Sequence, residues 1–512
     1  MKALLALLAA GLLVRAADTA PPRTNNGPFR LQYHFTPPRN WTNDPNGLVF
    51  YKGEYHLFYQ FNPFGTKWGH MTWGHAVSPD LVHWQDLPPA LKEENGVMMF
   101  SGSAVVDQYN SSGLCQGASR DRSCLIAIYT GHTANRQTQN IAYSNDRGRT
   151  WSKYRGNPVI DLGLKDFRDP KVLWYEKQNK WVMATALSDQ HKIRFFESTD
   201  LVHWKALSDF GPQGATGGVW ECPDLFPLHV AESGEMKWVL VVNINPGGVA
   251  GGSGTQYFVG TFDGTAFHND NPSAQELWMD YGKDYYAAVS FFGHPAGDSR
   301  RIMIGWFSNW QYANDTPESD WRGAMAFPRE IFLKKTDAGV RVAQRPVKEV
   351  NKLRNAAKSW AIAEHPITVA EANDILAREQ VRGKVLRIEM ELVLGTARSA
   401  GVAVFKGGQD RTLIGVDALK KSVFVDRTHS GLVSFNPQFP GRHEGPLQDP
   451  RDVTLQILLD HSSVEVFAES GGTTLADRVY PSVHDDGIEV FADAGNARVR
   501  SLHVTELNSI WK

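Results

Sequence analysis

Before about residue 345 the chain shows few amphipathic helical patterns, and its apolar runs come in pairs. Five apolar hairpins are predicted around 48–60, 103–130, 172–185, 225–243 and 288–307, each joining two β-rich runs across a polar turn. The third is representative: Val172-Leu-Trp-Tyr and Lys180-Trp-Val-Met-Ala184 flank a short charged turn. Hairpin starts are 53 to 69 residues apart. A second signal keeps step with them. Ser78-Pro-Asp-Leu-Val-His-Trp84 returns as Ser198-Thr-Asp-Leu-Val-His-Trp204, with the variant Ser144-Asn-Asp-Arg-Gly-Arg-Thr-Trp151 between. Recurrence at this period in an all-β sequence predicts a five-bladed β-propeller, one sheet per blade.

The pattern changes near Gln344-Arg-Pro346. Val347 to about Asp374 reads as helical or irregular. Short period-2 strands follow at Val385–Leu392, Lys421–Asp426, Val453–Asp460 and Ser463–Ala468, the pattern of a C-terminal β-sandwich. The expected division is a signal peptide at 1–16, a propeller at 28–343, a linker at 344–374 and a sandwich at 375–512. The sandwich shows no unpaired acids in apolar surroundings, so its expected role is structural, with at most a sugar-binding surface.

Composition narrows the function. At 512 residues, two domains are the natural division. A formal net charge of −2 supplies no global attraction to nucleic acid or membrane, so neither is an expected partner. The 16 tryptophans and 15 tyrosines serve core packing first, but such rings also fit the faces of sugars. Met1-Lys2 and the apolar run after it form a secretory signal too short to span a bilayer, with cleavage near Ala16 and export of the mature protein. Cys115 and Cys124 bracket a polar loop and are either paired or two free thiols; Cys222 lies in an acidic motif. No Cys/His spacing predicts a metal site. The glycine-rich run 245–256 lacks the Lys-Ser/Thr of a phosphate cradle and reads as a mobile rim loop. Formal glycosylation sequons begin at Asn40, Asn110 and Asn314.

Three acids share a context. Asp44 stands in Trp41-Thr-Asn-Asp-Pro-Asn-Gly47, a run of turn formers at the entry to the first hairpin. Asp169 stands in Phe167-Arg-Asp-Pro170 before the third hairpin, and Glu221 in Trp220-Glu-Cys-Pro-Asp224 before the fourth. Each reads in isolation as a turn acid bonded to its own backbone. Equivalent blades would deliver all three to one mouth, where mutual repulsion keeps one protonated or neutralised. Arg168 is the expected partner, and Glu221, beside Trp220 and Cys222, the expected site of a raised pKa. Such a set suits glycoside hydrolysis, in which one carboxylate attacks or stabilises the anomeric carbon and a carboxylic acid protonates the leaving oxygen.

These motifs, with Phe58–Pro63, Trp73–Ala76, Phe100–Ser103, Asp280–Phe292, Gly305–Pro317 and Leu459–Phe467, resemble the ordered series of glycoside hydrolase family 32. The likeness is greatest to its levanase and exo-inulinase branch. Thr42 departs from the methionine commoner there. The resemblance implies a five-bladed propeller with a C-terminal sandwich, and a retaining exo-β-fructofuranosidase needing no cofactor or metal. Its substrate would be levan, inulin or sucrose. Asp44 would be the nucleophile, Glu221 the general acid and base, and Asp169 the transition-state stabiliser, with the Asp44 and Glu221 carboxyls about 5–5.5 Å apart. Asn43, Asn46, Gln60, Trp68, Phe100, Ser101 and Arg168 would bind the terminal fructose, together with Trp306 or Trp310. Three alternatives stand beside this reading: a fructosyltransferase on the same scaffold, a non-catalytic fructan-binding protein, and a five-bladed glycosidase acting on arabinose. The sequence carries no signal of oligomeric state.

Overall fold

The computed structural model describes residues 27–116 and 122–511; the expected signal peptide lies outside them. All five predicted hairpins form. Each is the inner half of an antiparallel sheet, and the sheets follow one another in chain order. Their innermost strands are Asn40–Tyr51, Met98–Asp107, Phe167–Tyr175, Val219–His229 and Tyr286–Ser290. Each packs against the next, and the fifth returns to the first, which closes a ring of five blades. The seam between blades 5 and 1 is bonded directly. Phe292 donates its N–H to the Leu48 carbonyl (2.8 Å), Phe50 to that of Phe292 (2.9 Å), and the short strand Trp321–Arg322 runs parallel to Asn40–Trp41.

The recurring Asp-Leu-Val-His-Trp motif has a local cause. Two residues before it, Ser78 and Ser198 are the last residues of the third strand in blades 1 and 3. Asp80 and Asp200 then accept the N–H groups of the residues two and three positions on, at 2.8–3.2 Å, and set the turn to the fourth strand.

The expectation of turns around the three acids needs correction. Asp44, Asp169 and Glu221 lie inside strands, and the turn-forming residues beside them make bulges. On every innermost strand the ladder shifts register near the site end: between Thr42 and Pro45, Phe100 and Gly102, Arg168 and Lys171, Glu221 and Asp224, and Tyr286 and Val289. A bulge bends the strand and re-aims side chains that the pleat would send into a sheet face. In blades 3, 4 and 5 the residue that opens it, Asp169, Cys222 or Ala287, has φ of +65°, +43° or +51°. Non-glycine residues pay about 1–3 kcal/mol for such a backbone, a cost that clusters at functional sites.

The expected sandwich strands form within a few residues of their predicted ends. One sheet holds Leu386–Val393, Asp452–Asp460, Ser463–Ala468, Thr473–Arg478 and Arg498–Leu507; the other holds Ser399–Gly407, Asp410–Asp417, Ser422–Asp426, Arg442–Pro446 and Gly487–Asp493. Alternate residues such as Ile388, Met390, Val402, Val404, Ile457 and Val466 fill the space between them. The stretch expected to be helical or irregular is only partly so. The helix Val369–Arg378 has a Thr368/Glu371 capping box, but Arg354–Ala363 is a strand of the first sheet, paired with Arg498–Leu507. Cys115 and Cys124 are joined in a disulfide.

Propeller and sandwich meet through buried ion pairs. Asp460 accepts from the N–H groups of Gln32 (2.7 Å) and Tyr33 (3.0 Å) and from His34 Nδ1 (2.9 Å). Glu465 bonds His34 Nε2 (2.9 Å) and Arg329 (2.8 Å), and Arg329 also reaches Asp280 (2.8 Å). Arg427 binds Asp284 and Arg478 binds Glu318, each at 2.6 Å. These side chains are almost wholly excluded from water.

Candidate active site

The bulges converge on a cavity of about 160 Å³ at one end of the ring axis. Its walls include Asp44 from blade 1, Ser101 from blade 2, Arg168 and Asp169 from blade 3, and Glu221 from blade 4. Of the other expected residues, Asn43, Gln60, Trp68, Phe100 and Trp310 also line it, with Asn245 in addition. Two expected residues stand behind the wall. Asn46 is fully buried, within reach of Ser101 and Gln60. Trp306 is also buried and donates its Nε1–H to the Thr42 carbonyl (3.0 Å). Of the two tryptophans left open by the sequence, Trp310 lines the cavity, packed on Trp41 and Trp306.

Asp44 is oriented from both sides. Trp41 Nε1–H donates to Asn43 Oδ1 (2.8 Å), and Asn43 Nδ2 donates to Asp44 Oδ1 (2.9 Å). Ser101 Oγ donates to the other oxygen (2.6 Å). Thr42, the departure noted in the motif, is buried with its hydroxyl on the Gln60 carbonyl (3.0 Å).

Glu221 is held differently. Arg168 Nε donates to Oε1 (3.0 Å), and the Tyr286 hydroxyl bonds Oε2. Arg168 is fixed in turn by Asp166 (2.9 Å) and Gln137 (3.3 Å). Tyr286 follows the pattern: with Arg168 and Glu221, it is the third residue immediately before a bulge. That equivalence is the signal by which sequence reasoning could have found it. Asn245 could not be found so, since it is the last residue of the second strand of blade 4. The glycine-rich turn after it is pinned rather than loose, because Asn309 Nδ2 donates to the carbonyls of Gly251 (3.1 Å) and Ser253 (3.3 Å).

Asp169 is the most enclosed of the three acids. It accepts the Cys222 N–H (2.9 Å), and the Cys222 thiol lies 3.5 Å from Asp169 and 3.6 Å from Asp44. Burial pushes the Asp169 carboxyl well up; Arg168 opposes the shift, and the charges of Glu221 and Asp44 add to it. Burial also raises Asp44, against the Ser101 hydrogen bond, with Glu221 again adding. The Cys222 thiol is driven far up by burial and by all three acids, so it stays protonated as a neutral spacer. Beneath them, Asp224 pairs with Lys171 (3.2 Å) and accepts the Ser290 N–H (2.5 Å), tying blades 3, 4 and 5 together.

The rim is aromatic. Phe100 stacks on His132 with centroids 4.1 Å apart, and Trp68 meets its edge at 6.0 Å while 41% exposed. Polar groups below and ring faces above suit a small polyol with one apolar face. Among the described residues no group of His, Cys, Asp and Glu is arranged to hold a metal ion.

Two family models match the chain: "Glycosyl hydrolases family 32 N-terminal domain" over residues 34–346 and "Glycosyl hydrolases family 32 C terminal" over 349–506. A levanase of Bacillus subtilis is 48% identical over 97% of this chain and 73% of its own length. An extracellular exo-inulinase of Aspergillus awamori is 38% identical over 93% of this chain and 92% of its own. The crystal structure of an exo-inulinase from A. awamori superposes with a TM-score of 0.87 at 37% identity, covering 95% of this chain and all of that one. A β-fructofuranosidase of Schwanniomyces occidentalis, complexed with fructosyl-erythritol, gives 0.83 at 31% identity, over 94% and 98% of the two chains.

Proposed function

This chain belongs to glycosyl hydrolase family 32, and on that premise we propose that it is a retaining exo-β-fructofuranosidase releasing terminal fructose from levan, inulin and sucrose. The observation that carries the mechanism is the contrast between two carboxyls facing one small cavity. Asp44 accepts hydrogen bonds on both oxygens and is poised to attack. Glu221 lies between a guanidinium and a hydroxyl. The Tyr286 hydroxyl donates to a carboxylate or accepts from a carboxylic acid, so Glu221 keeps its place in either charge state.

In the first step Asp44 attacks C2 of the fructosyl unit, the C2–O bond to the leaving sugar breaks, and Glu221 gives that oxygen its proton. In the second, Glu221 takes a proton from water, the water oxygen bonds to C2, and Asp44 is released. Asp169 meets the ring hydroxyls and the positive charge that develops at C2. A 160 Å³ cavity takes one furanose ring, which is why the action is at chain ends. Export follows from the expected signal peptide and matches the extracellular relatives. The propeller at 28–343 carries the chemistry, and the sandwich at 375–512 supports it.

Hydrolysis in buffer containing methanol tests the mechanism. A retaining enzyme yields methyl β-D-fructofuranoside, and the α-anomer overturns the double displacement. Time-resolved products from levan and inulin test the rest. Fructose alone at early times agrees with exo action; early oligosaccharides contradict it. Kestose-type oligomers dominating at high sucrose would make the protein a transferase.

A further inference from the structure

A second cavity, of about 380 Å³, lies on blade 1 beside the active site and is the roomier of the two. They share a wall. The strand Glu54–Asn62 alternates its side chains, so Gln60 lines the catalytic cavity while Tyr59 and Phe61 line the second. The loop after that strand does the same: Trp68 borders the first cavity and Phe64 the second. Phe64 is 76% exposed, and its one ring contact among the described residues is edge-on with His70. Tyr59 lies flat against the neighbouring strand because Gly74 has no Cβ; one built there would stand 2.2 Å from the ring.

Around these rings stand Arg39, Lys92, Asp86 and Glu93, the last bonded to His70 Nδ1 (2.8 Å). The charges balance, so the cavity selects no charged ligand. Planar carboxylates and cations beside aromatic faces instead suit a neutral polyhydroxylated ring. The volume falls in the range of small-molecule sites. We propose that this cavity is a second subsite, binding a fructosyl segment of polymeric fructan whose other residues lie outside the catalytic cavity. This rests on the fructan reading above. That cavity takes one ring, so the rest of a polymer must lie across the rim, and the Phe64–Trp68 loop leads from one site to the other.

The test compares Phe64→Ala and Lys92→Ala with the parent on long-chain inulin, levan and sucrose. Phe64→Ala is expected to raise KM for the polymers about five-fold, with Lys92→Ala in the same direction, while sucrose kinetics stay unchanged. Polymer KM unchanged in both variants, or an equal loss on sucrose, overturns the proposal. Affinity electrophoresis through gels containing levan or inulin, with Glu221→Gln as background, reads binding without turnover. Retardation abolished by Phe64→Ala supports the subsite even where the hydrolytic reading fails; retardation unchanged by it overturns the subsite even where hydrolysis holds.

Discussion

Two groups of buried carboxylates occupy this molecule, and they are balanced in opposite ways. In the candidate active-site cavity, Asp44, Asp169 and Glu221 crowd around one guanidinium, Arg168. Between propeller and sandwich, Asp460 and Glu465 share His34, Glu465 also binds Arg329, and further acids meet Arg427 and Arg478. Burial pushes Asp44 and Asp169 up. At the interface, burial opposes ionisation too, but hydrogen bonds from His34, the His34 charge and, for Glu465, Arg329 bring Asp460 and Glu465 below their ordinary values. Asp280, with Arg329 as its one cation, is an interface acid that burial still raises. The difference teaches what each cluster is for. Acids that hold two bodies together are supplied with cations, whereas in the cavity the single guanidinium bonds Glu221 and leaves Asp44 and Asp169 to burial and mutual repulsion.

The largest effect expected from breaking this contrast is catalytic. Asp44→Asn and Glu221→Gln should each lower fructose release by about 10³-fold or more, with circular dichroism and melting temperature near the parent's. Normal turnover in either variant ends the assignment. On the other side, Arg329→Met leaves Glu465 and Asp280 without their shared cation. It should cost about 3–5 kcal/mol in denaturant unfolding, while the remaining folded protein keeps its turnover number.

Asp169→Asn separates the clusters more finely. Its carboxyl is raised in the folded state, so ionised Asp169 opposes folding. That penalty starts as pH rises past the ordinary aspartate value of 3.8 and is complete above the raised one. The variant should therefore gain about 1 kcal/mol over the parent at neutral pH, and nothing at pH 3, while activity falls about 10²-fold. The interface acids run the other way. Asp460 and Glu465 are lowered, so their stabilisation is present above 3.8 and 4.5 and is lost as pH falls through the depressed values. A melting temperature that does not drop on acidification below pH 4 contradicts this. The smallest effect is expected from Ser101→Ala. Removing that hydrogen bond raises Asp44 further and moves the acidic limb of kcat/KM upward by less than about one pH unit.

Much of this was legible in the sequence because it is local. Hairpins, the recurring Asp-Leu-Val-His-Trp motif and the three acid motifs are each written within one short stretch of chain. The acids were grouped correctly, yet their setting was misjudged. Asn, Asp, Pro and Gly favour turns, but a bulge inside a strand asks for the same backbone freedom, and only pairing distinguishes the two. Nothing local separates Trp306 from Trp310, since the choice between wall and cavity is made by Thr42, over 250 residues away. The docking of the sandwich was hidden for the same reason. In Leu459–Phe467 the motif was visible, but its partner His34 lies 426 and 431 residues from Asp460 and Glu465.

That separation also orders events during synthesis. Gln32 emerges from the ribosome 428 residues ahead of the aspartate that accepts its N–H. Until Asp460 is translated, the bonds from the segment before blade 1 to that aspartate cannot form, and until Phe292 arrives the ring has no seam. The blade that carries Asp44 is therefore among the first parts made, yet its seam and the bonds of the segment before it wait for residues from the last blade and the sandwich.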